Sequence, residues 1–88
     1  MNIVLSGTLQ KFAQYQREHS IDAWTIQEGL DHLVKAHPAL GNALFDGAGE
    51  LRRAHLVFLN GDQVTSDRFS ERVGERDEIE ILTAIAGG

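Results

Sequence analysis

Thr25-Ile26-Gln27-Glu28-Gly29-Leu30-Asp31-His32-Leu33-Val34-Lys35-Ala36-His37-Pro38 is the segment from which the architecture follows. Thr25 is a good N-cap. Glu28, three residues on, completes a capping box that satisfies two otherwise orphan amides. Ile26, Leu30, Leu33 and Val34 recur at helical spacing and mark one buried stripe. Asp31 and Lys35 fall on the wet side, four apart in the favourable order. Pro38 cannot continue a helix and biases His37 away from helical angles. The pattern predicts a helix over 26–36.

Strand signals lie on both sides of that helix. Upstream, Ile3-Val4-Leu5 opens a strand over 2–8, Lys11 to Arg17 is polar enough for a turn or short irregular piece, and Ser20-Ile21-Asp22-Ala23-Trp24 alternates as a short second strand. These two strands make a hairpin, and Trp24 reads as core packing. Downstream, 39–50 is a loop with Gly41, Asp46-Gly47 and Gly49 as turn residues and with Leu44 and Phe45 tucked inward. Leu51 to Leu59 is the longest apolar run and reads as the central strand. Asn60-Gly61-Asp62 is a tight-turn signal, and Val64 begins the return strand. A second loop over 67–74 is anchored by Phe69 and Val73, and Glu78-Ile79-Glu80-Ile81-Leu82 is the last strand.

A hairpin, a helix packed across it, then further strands in the same sheet is the β-grasp arrangement. The fold class is therefore α+β, with a mixed sheet and one main helix on one face. The first strand is expected beside the last. One domain over 1–82 carries a flexible tail over 83–88.

Alternation also sorts the sheet faces. Ile79 and Ile81 point into the core, so Leu82 points outward. Counting back from the Asn60-Gly61 turn puts Val57 and Leu59 inside and Leu56 and Phe58 outside with Leu82. Exposed apolar residues grouped beside a chain end mark a partner interface; an ordinary, partly covered sheet face is the other reading of the same three residues.

Composition narrows the function. The 42 % apolar content is too high for a disordered chain, and no apolar run approaches a membrane span. The first six residues are too short and uncharged for a signal peptide, so the cytoplasm is the default compartment. A net charge of −5 disfavours nucleic acid and anionic lipid as partners. Arg52-Arg53 reads as a solvated strand start. The chain has no cysteine, which removes disulfides, thiolate metal sites and a thiol nucleophile. His19, His32, His37 and His55 lack metal-ligand spacing, and no phosphate-binding loop or nucleophile elbow is present.

The sequence ends Ala84-Ile85-Ala86-Gly87-Gly88. Two glycines without Cβ atoms can thread a channel too narrow for a side chain and present the Gly88 carboxylate at the tip. From Thr83 the extended reach is about 20 Å. A frayed terminus that happens to end in glycines is the plain alternative.

Met1-Asn2-Ile3-Val4-Leu5, Val57-Phe58-Leu59-Asn60-Gly61-Asp62 and above all Asp77-Glu78-Ile79-Glu80-Ile81-Leu82-Thr83-Ala84-Ile85-Ala86-Gly87-Gly88 resemble the ubiquitin-fold bacterial sulfur carriers. That group includes the small subunit of molybdopterin synthase, the thiamine-pathway carrier and the carrier of an alternative cysteine synthase. Gly49-Glu50-Leu51-Arg52-Arg53, leading into Leu56-Val57-Phe58-Leu59-Asn60, is more similar to the last of these. The chain departs from the family pattern at Arg76, where a glycine is common, and at Thr83-Ala84, where a proline is common.

The resemblance implies a protein co-substrate rather than an enzyme. Gly88 would be adenylated and converted to a thiocarboxylate, Gly87, Ala86 and Ile85 would thread the partner's channel, and Leu56, Phe58 and Leu82 would dock. It implies no cofactor bound by this chain, with ATP used by a partner adenylating enzyme. It also implies a sulfur-accepting biosynthetic enzyme, a protease where a longer precursor is trimmed, no nucleic acid or membrane partner, and a monomer when free. A protein modifier that joins lysines through isopeptide bonds, a tail-inserting subunit of a molybdopterin synthase-type complex, and a β-grasp binding module with an inert tail are the alternatives.

Overall fold

Half of the expected capping box forms at Thr25: the Thr25 hydroxyl is bonded, and the Glu28 carboxylate makes no return bond to the Thr25 amide. The Glu28 amide donates to Thr25 Oγ1 at 3.1 Å, and helix α1 runs Ile26–Ala36. A computed structural model describes residues 1–84. Around α1 stand strands β1 (Asn2–Leu5), β2 (Glu18–Ser20), β3 (His55–Leu59), β4 (Asp62–Val64) and β5 (Glu78–Thr83), and a second helix, α2 (Pro38–Leu44). Short 3-10 turns occupy Gly7–Ala13 and Ser66–Arg68.

The strands form one sheet in the order β2-β1-β5-β3-β4. β1 and β5 pair in parallel, with Ile3 opposite Ile79 and Leu5 opposite Ile81; the other neighbours are antiparallel. Parallel neighbours need a crossover, and the chain between β1 and β5 supplies it. α1 lays Ile26, Leu30 and Leu33 onto Ile3, Leu5, Val57, Ile79 and Ile81, and all eight side chains are buried. This is the expected mixed sheet with a main helix on one face. Phe69 and Val73 are buried as the anchors of their loop.

Several local expectations change. The segment read as a loop over 39–50 begins with α2. Pro38 does end α1, but it also occupies the first turn of a new helix, where its missing N–H costs nothing. Leu40 and Leu44, four apart, are fully buried. Gly41, read as a turn residue, instead lies within α2 close against α1: a Cβ there would stand 2.6 Å from Val34 Cγ1. Val34 accordingly turns toward α2 and is only partly buried.

β2 lies upstream of the predicted 20–24. The Leu5 amide donates to the Arg17 carbonyl and the Ile21 amide to the Met1 carbonyl, which fixes the pairing over Glu18–Ser20. The chain reverses into it through Gln14 and Tyr15, both at positive φ. β2 is an edge strand whose core-facing residue is His19, so no apolar alternation announces it. Trp24, read as core, is 52 % exposed, with the Arg72 guanidinium 5.2 Å above its ring.

β3 begins at His55 rather than Leu51, because Leu51 bridges Phe45 and Arg52 N donates to the Leu44 carbonyl. The central strand is β5, not β3. Asn60 (φ 50°) and Gly61 (φ 89°) make the tight turn in the geometry that favours Asn-Gly, and Val64 ends β4 rather than beginning it. Leu59 is only partly buried, packed against the core. β1 stops at Leu5, and the 3-10 turn that follows buries Leu9 and Ala13. Among the described residues no helix is long and apolar enough to cross a membrane.

Candidate functional site: the outer sheet face and the base of the tail

β5 carries the chain end. Its alternation buries Ile79 and Ile81 fully and leaves Glu78, Glu80 and Leu82 on the sheet face away from α1. On β3, Val57 opposite Ile81 is buried, so Leu56 and Phe58 share the outer face with Leu82. Leu56 stands directly opposite Leu82, and Phe58 opposite Glu80. All three apolar side chains are half-buried and lie outside the core cluster. The structure thus brings together the three predicted docking residues; Gly88, Gly87, Ala86 and Ile85 lie outside the described residues.

The outer face has a second, acidic half. Strand register adds Asn2 and Val4 from β1, Glu18 and Ser20 from β2, and Gln63 from β4. With Glu78 and Glu80 this face carries Glu carboxylates and, among these strand positions, no Lys or Arg. Ser6 Oγ donates to Glu80 Oε2, and Asn2 Nδ2 to Glu18 Oε1, each at 3.1 Å. An apolar cluster beside the chain end, flanked by carboxylates, suits a protein surface of apolar and basic character.

The base of the tail is held by backbone and side chain together. His55 pairs with Thr83 across β3 and β5. Its Nε2 is 2.7 Å from the Ala43 carbonyl oxygen, and its Nδ1 is 3.2 Å from Thr83 Oγ1. A carbonyl only accepts, so Nε2 carries the proton and donates; in neutral His55 the Thr83 hydroxyl then donates to Nδ1. The Ala84 amide donates to the Ala54 carbonyl at 2.6 Å. The last strand therefore runs one residue past its predicted end and is tied at that point to α2 and β3.

The opposite end of β5 is tied by Asn60. Its Nδ2 donates to Asp77 Oδ1 at 2.9 Å, and its Oδ1 accepts the Glu78 amide at 2.9 Å. Asp77 Oδ2 also accepts the Gly74 amide. The Gly74 amide first, and then the Asn60 side chain, hold the Asp77 carboxyl below the usual carboxylate range.

The other titratable groups do not gather. His19 is buried, 2.9 Å from the Gln16 carbonyl through Nε2, and edge-on to His37 at 5.3 Å. Among the described residues no group of three or more His, Asp or Glu side chains could hold a metal ion. Sequence reasoning weighed His55 only as a metal ligand and missed its structural tie. The signal was available: the count that placed Val57 and Leu59 inside places His55 inside as well.

Comparison with known proteins agrees with this geometry. The ThiS family profile matches residues 3–88. Small archaeal modifier protein 1 of Haloferax volcanii is 34% identical over 64 residues, spanning 73% of this chain and 70% of that protein. A crystal structure of the Haloferax volcanii protein matches with a TM-score of 0.86 at 31% identity, covering 100% of this chain and 98% of that one. A chain in the crystal structure of the Amycolatopsis orientalis BexX/CysO complex matches with a TM-score of 0.83 at 23% identity, covering 99% and 98%, a likeness of fold. The curated relative is a small modifier protein by name. A β-grasp sheet with the chain end leaving its central strand, matched over nearly the whole sequence, makes this protein a member of the ThiS family.

Proposed function

We propose that this protein carries sulfur on its own C-terminus. The observation that carries the reading is the Gly87-Gly88 pair, separated by three residues from the end of the central strand, in a ThiS-family chain. A carboxylate is a poor electrophile. In the proposed sequence a Gly88 carboxylate oxygen attacks the α-phosphorus of ATP held by a separate adenylating enzyme, and pyrophosphate leaves. A sulfur nucleophile from a donor then attacks the acyl carbon, and AMP leaves. With a persulfide donor this attack gives an acyl disulfide; a thiol then attacks the donor's sulfur, forms a disulfide with it and expels the thiocarboxylate, which is largely ionised at neutral pH and passes sulfur to a biosynthetic acceptor enzyme without free sulfide. This chain binds no cofactor in that scheme, and it has no cysteine to intercept the activated acyl group.

Geometry sets the reach. Thr83 and Ala84 are hydrogen-bonded to the β3 side of the sheet. Residues 85–88 span about 13 Å when extended, in place of the 20 Å expected from Thr83. A partner must therefore dock close to the exit. Leu56 and Leu82 lie opposite each other one position before the His55–Thr83 pair, Phe58 lies two positions further along β3 on the same face, and in this reading the three supply the contact. Gly87, Ala86 and Ile85 pass the narrow part of the channel.

A second reading is favoured by the relative named as a modifier: the same adenylated terminus joined to lysine amines of other proteins. Intact mass of protein purified from its native host separates the two. A carrier gains the mass difference between sulfur and oxygen, whereas a modifier appears in high-mass adducts. In reconstitution with the cognate adenylating enzyme, deletion of Gly88 or replacement of Gly87 by Phe abolishes thiocarboxylate formation and leaves the fold intact. Displacements of about 1 Å cost on the order of a hundredfold in rate, and deletion withdraws the terminus by about 3.3–3.6 Å. A Gly88-deleted protein that still gains sulfur at the wild-type rate ends the carrier reading.

A further inference from the structure

We infer that His55 is a positioning residue for chemistry at the chain terminus, acting through Thr83 to fix where the last strand ends. The inference rests on the sulfur-carrier reading for its consequence, though not for its geometry. His55 is half-buried at the first position of β3 and links two other elements: the Ala43 carbonyl in the last turn of α2 at 2.7 Å and the Thr83 hydroxyl in β5 at 3.2 Å. The Ala43 bond sets the tautomer and the plane of the ring, and the plane places Nδ1 at Thr83. The next residue, Ala84, adds the last described backbone bond, to Ala54 at 2.6 Å.

The consequence follows from the short reach. A strand end frays because its final hydrogen bonds have no successors to hold them. If β5 opened back to Leu82, the last strand-held residue before Gly88 would retreat by two residues, about 6–7 Å of chain. A longer stretch of chain between the strand and the Gly88 carboxylate gives a partner more arrangements to order. A ring clamped from α2 suppresses that fraying, so the Gly88 carboxylate is presented from a fixed origin. Preorganisation of this kind is lost as a higher KM while kcat is retained, because the channel itself orders the tail once it is bound.

The test measures both ends of the argument. Amide hydrogen exchange of Ala84 is followed by NMR in the wild-type protein and in Thr83→Val, Thr83→Ser, His55→Gln and His55→Ala. Thr83→Val preserves shape and removes the hydroxyl; Thr83→Ser keeps the hydroxyl; His55→Gln keeps an amide donor near the Nε2 position and has no acceptor at the Nδ1 position. Urea unfolding is run alongside, so that His55→Ala, which leaves a gap, is not needed for the decision. Ala84 exchange accelerates about two- to tenfold in Thr83→Val and His55→Gln, on the order expected for loss of one side-chain hydrogen bond. The KM for these variants in thiocarboxylate formation rises several-fold at unchanged kcat, and Thr83→Ser keeps both at their wild-type values.

Unchanged Ala84 exchange in Thr83→Val shows that no clasp operates and overturns the inference. Faster exchange with unchanged KM shows a purely structural tie and overturns it equally. Failure of the wild-type protein to gain sulfur refutes the carrier reading instead, and the exchange data then still stand or fall by themselves.

Discussion

Phe58 offers the sharpest test of the outer face, and the strand register selects the substitution. Phe58→Asp would set a carboxylate directly opposite Glu80, and like charges across a strand pair are destabilising. Lost binding could then not be told from lost folding. Phe58→Lys removes the same ring and places an ammonium opposite Glu80. Full burial of a Phe is worth about 1.5–3 kcal/mol, so a half-buried ring contributes about 1 kcal/mol to folding. The new cross-strand pair returns about 0.2–1 kcal/mol. The net change in stability is a loss of about 0–1 kcal/mol, a fall in Tm of at most about 8 °C. An interface anchor is worth at least about 2 kcal/mol, a roughly 30-fold weaker Kd. Gln63→Lys is the control, since Gln63 pairs with Phe58 on the same face and adds the charge without removing the ring. Thermal unfolding and calorimetric titration against the adenylating enzyme supply the two numbers. A Phe58→Lys protein that is unfolded shows that the ring belongs to the core. A folded one whose Kd stays within threefold of wild type shows that this face is not where the partner docks.

The remaining predictions address the ties around the sheet. Because the Asp77 carboxyl is held below the usual range in the folded state, its stabilisation is fully present above the unfolded carboxylate value and is lost as pH falls through the folded one. Urea midpoints measured from neutral pH down to about pH 2 should therefore fall less steeply in Asp77→Asn than in the wild-type protein; identical slopes contradict the assignment. Gly61→Ala, at φ 89°, should cost about 1–2 kcal/mol in urea unfolding, and a neutral result means that the β3–β4 turn relaxes to another form. Leu44→Ala, at a fully buried α2 position, should cost about 2–5 kcal/mol; a loss under 1 kcal/mol would mean that α2 is only loosely attached to the core.

What the sequence determined by itself was what short-range physics writes. α1 is legible because its cap, stripe and terminating proline lie within one short segment. The β3–β4 turn is legible because Asn60-Gly61 supplies the two positive φ angles it requires. The faces of β3 and β5 are legible because alternation is a property of each strand alone, and the same parity sets Leu56, Phe58 and Leu82 on one side. The diglycine end needs no structure to be noticed. Long-range pairing decided the rest. β2 is a polar edge strand, held by backbone bonds to β1, and carries no apolar signature of its own. α2 is a short helix, and Gly41 within it becomes intelligible only when Val34 of α1 is seen against it. Trp24 looks like core from its composition, but its neighbour Ala23 takes the buried position and the ring stays outside beneath Arg72. The clasp at the tail depends on a histidine, a threonine 28 residues away and a helix carbonyl. Groups so far apart in the chain are brought together only when the sheet closes, and no local pattern records their meeting.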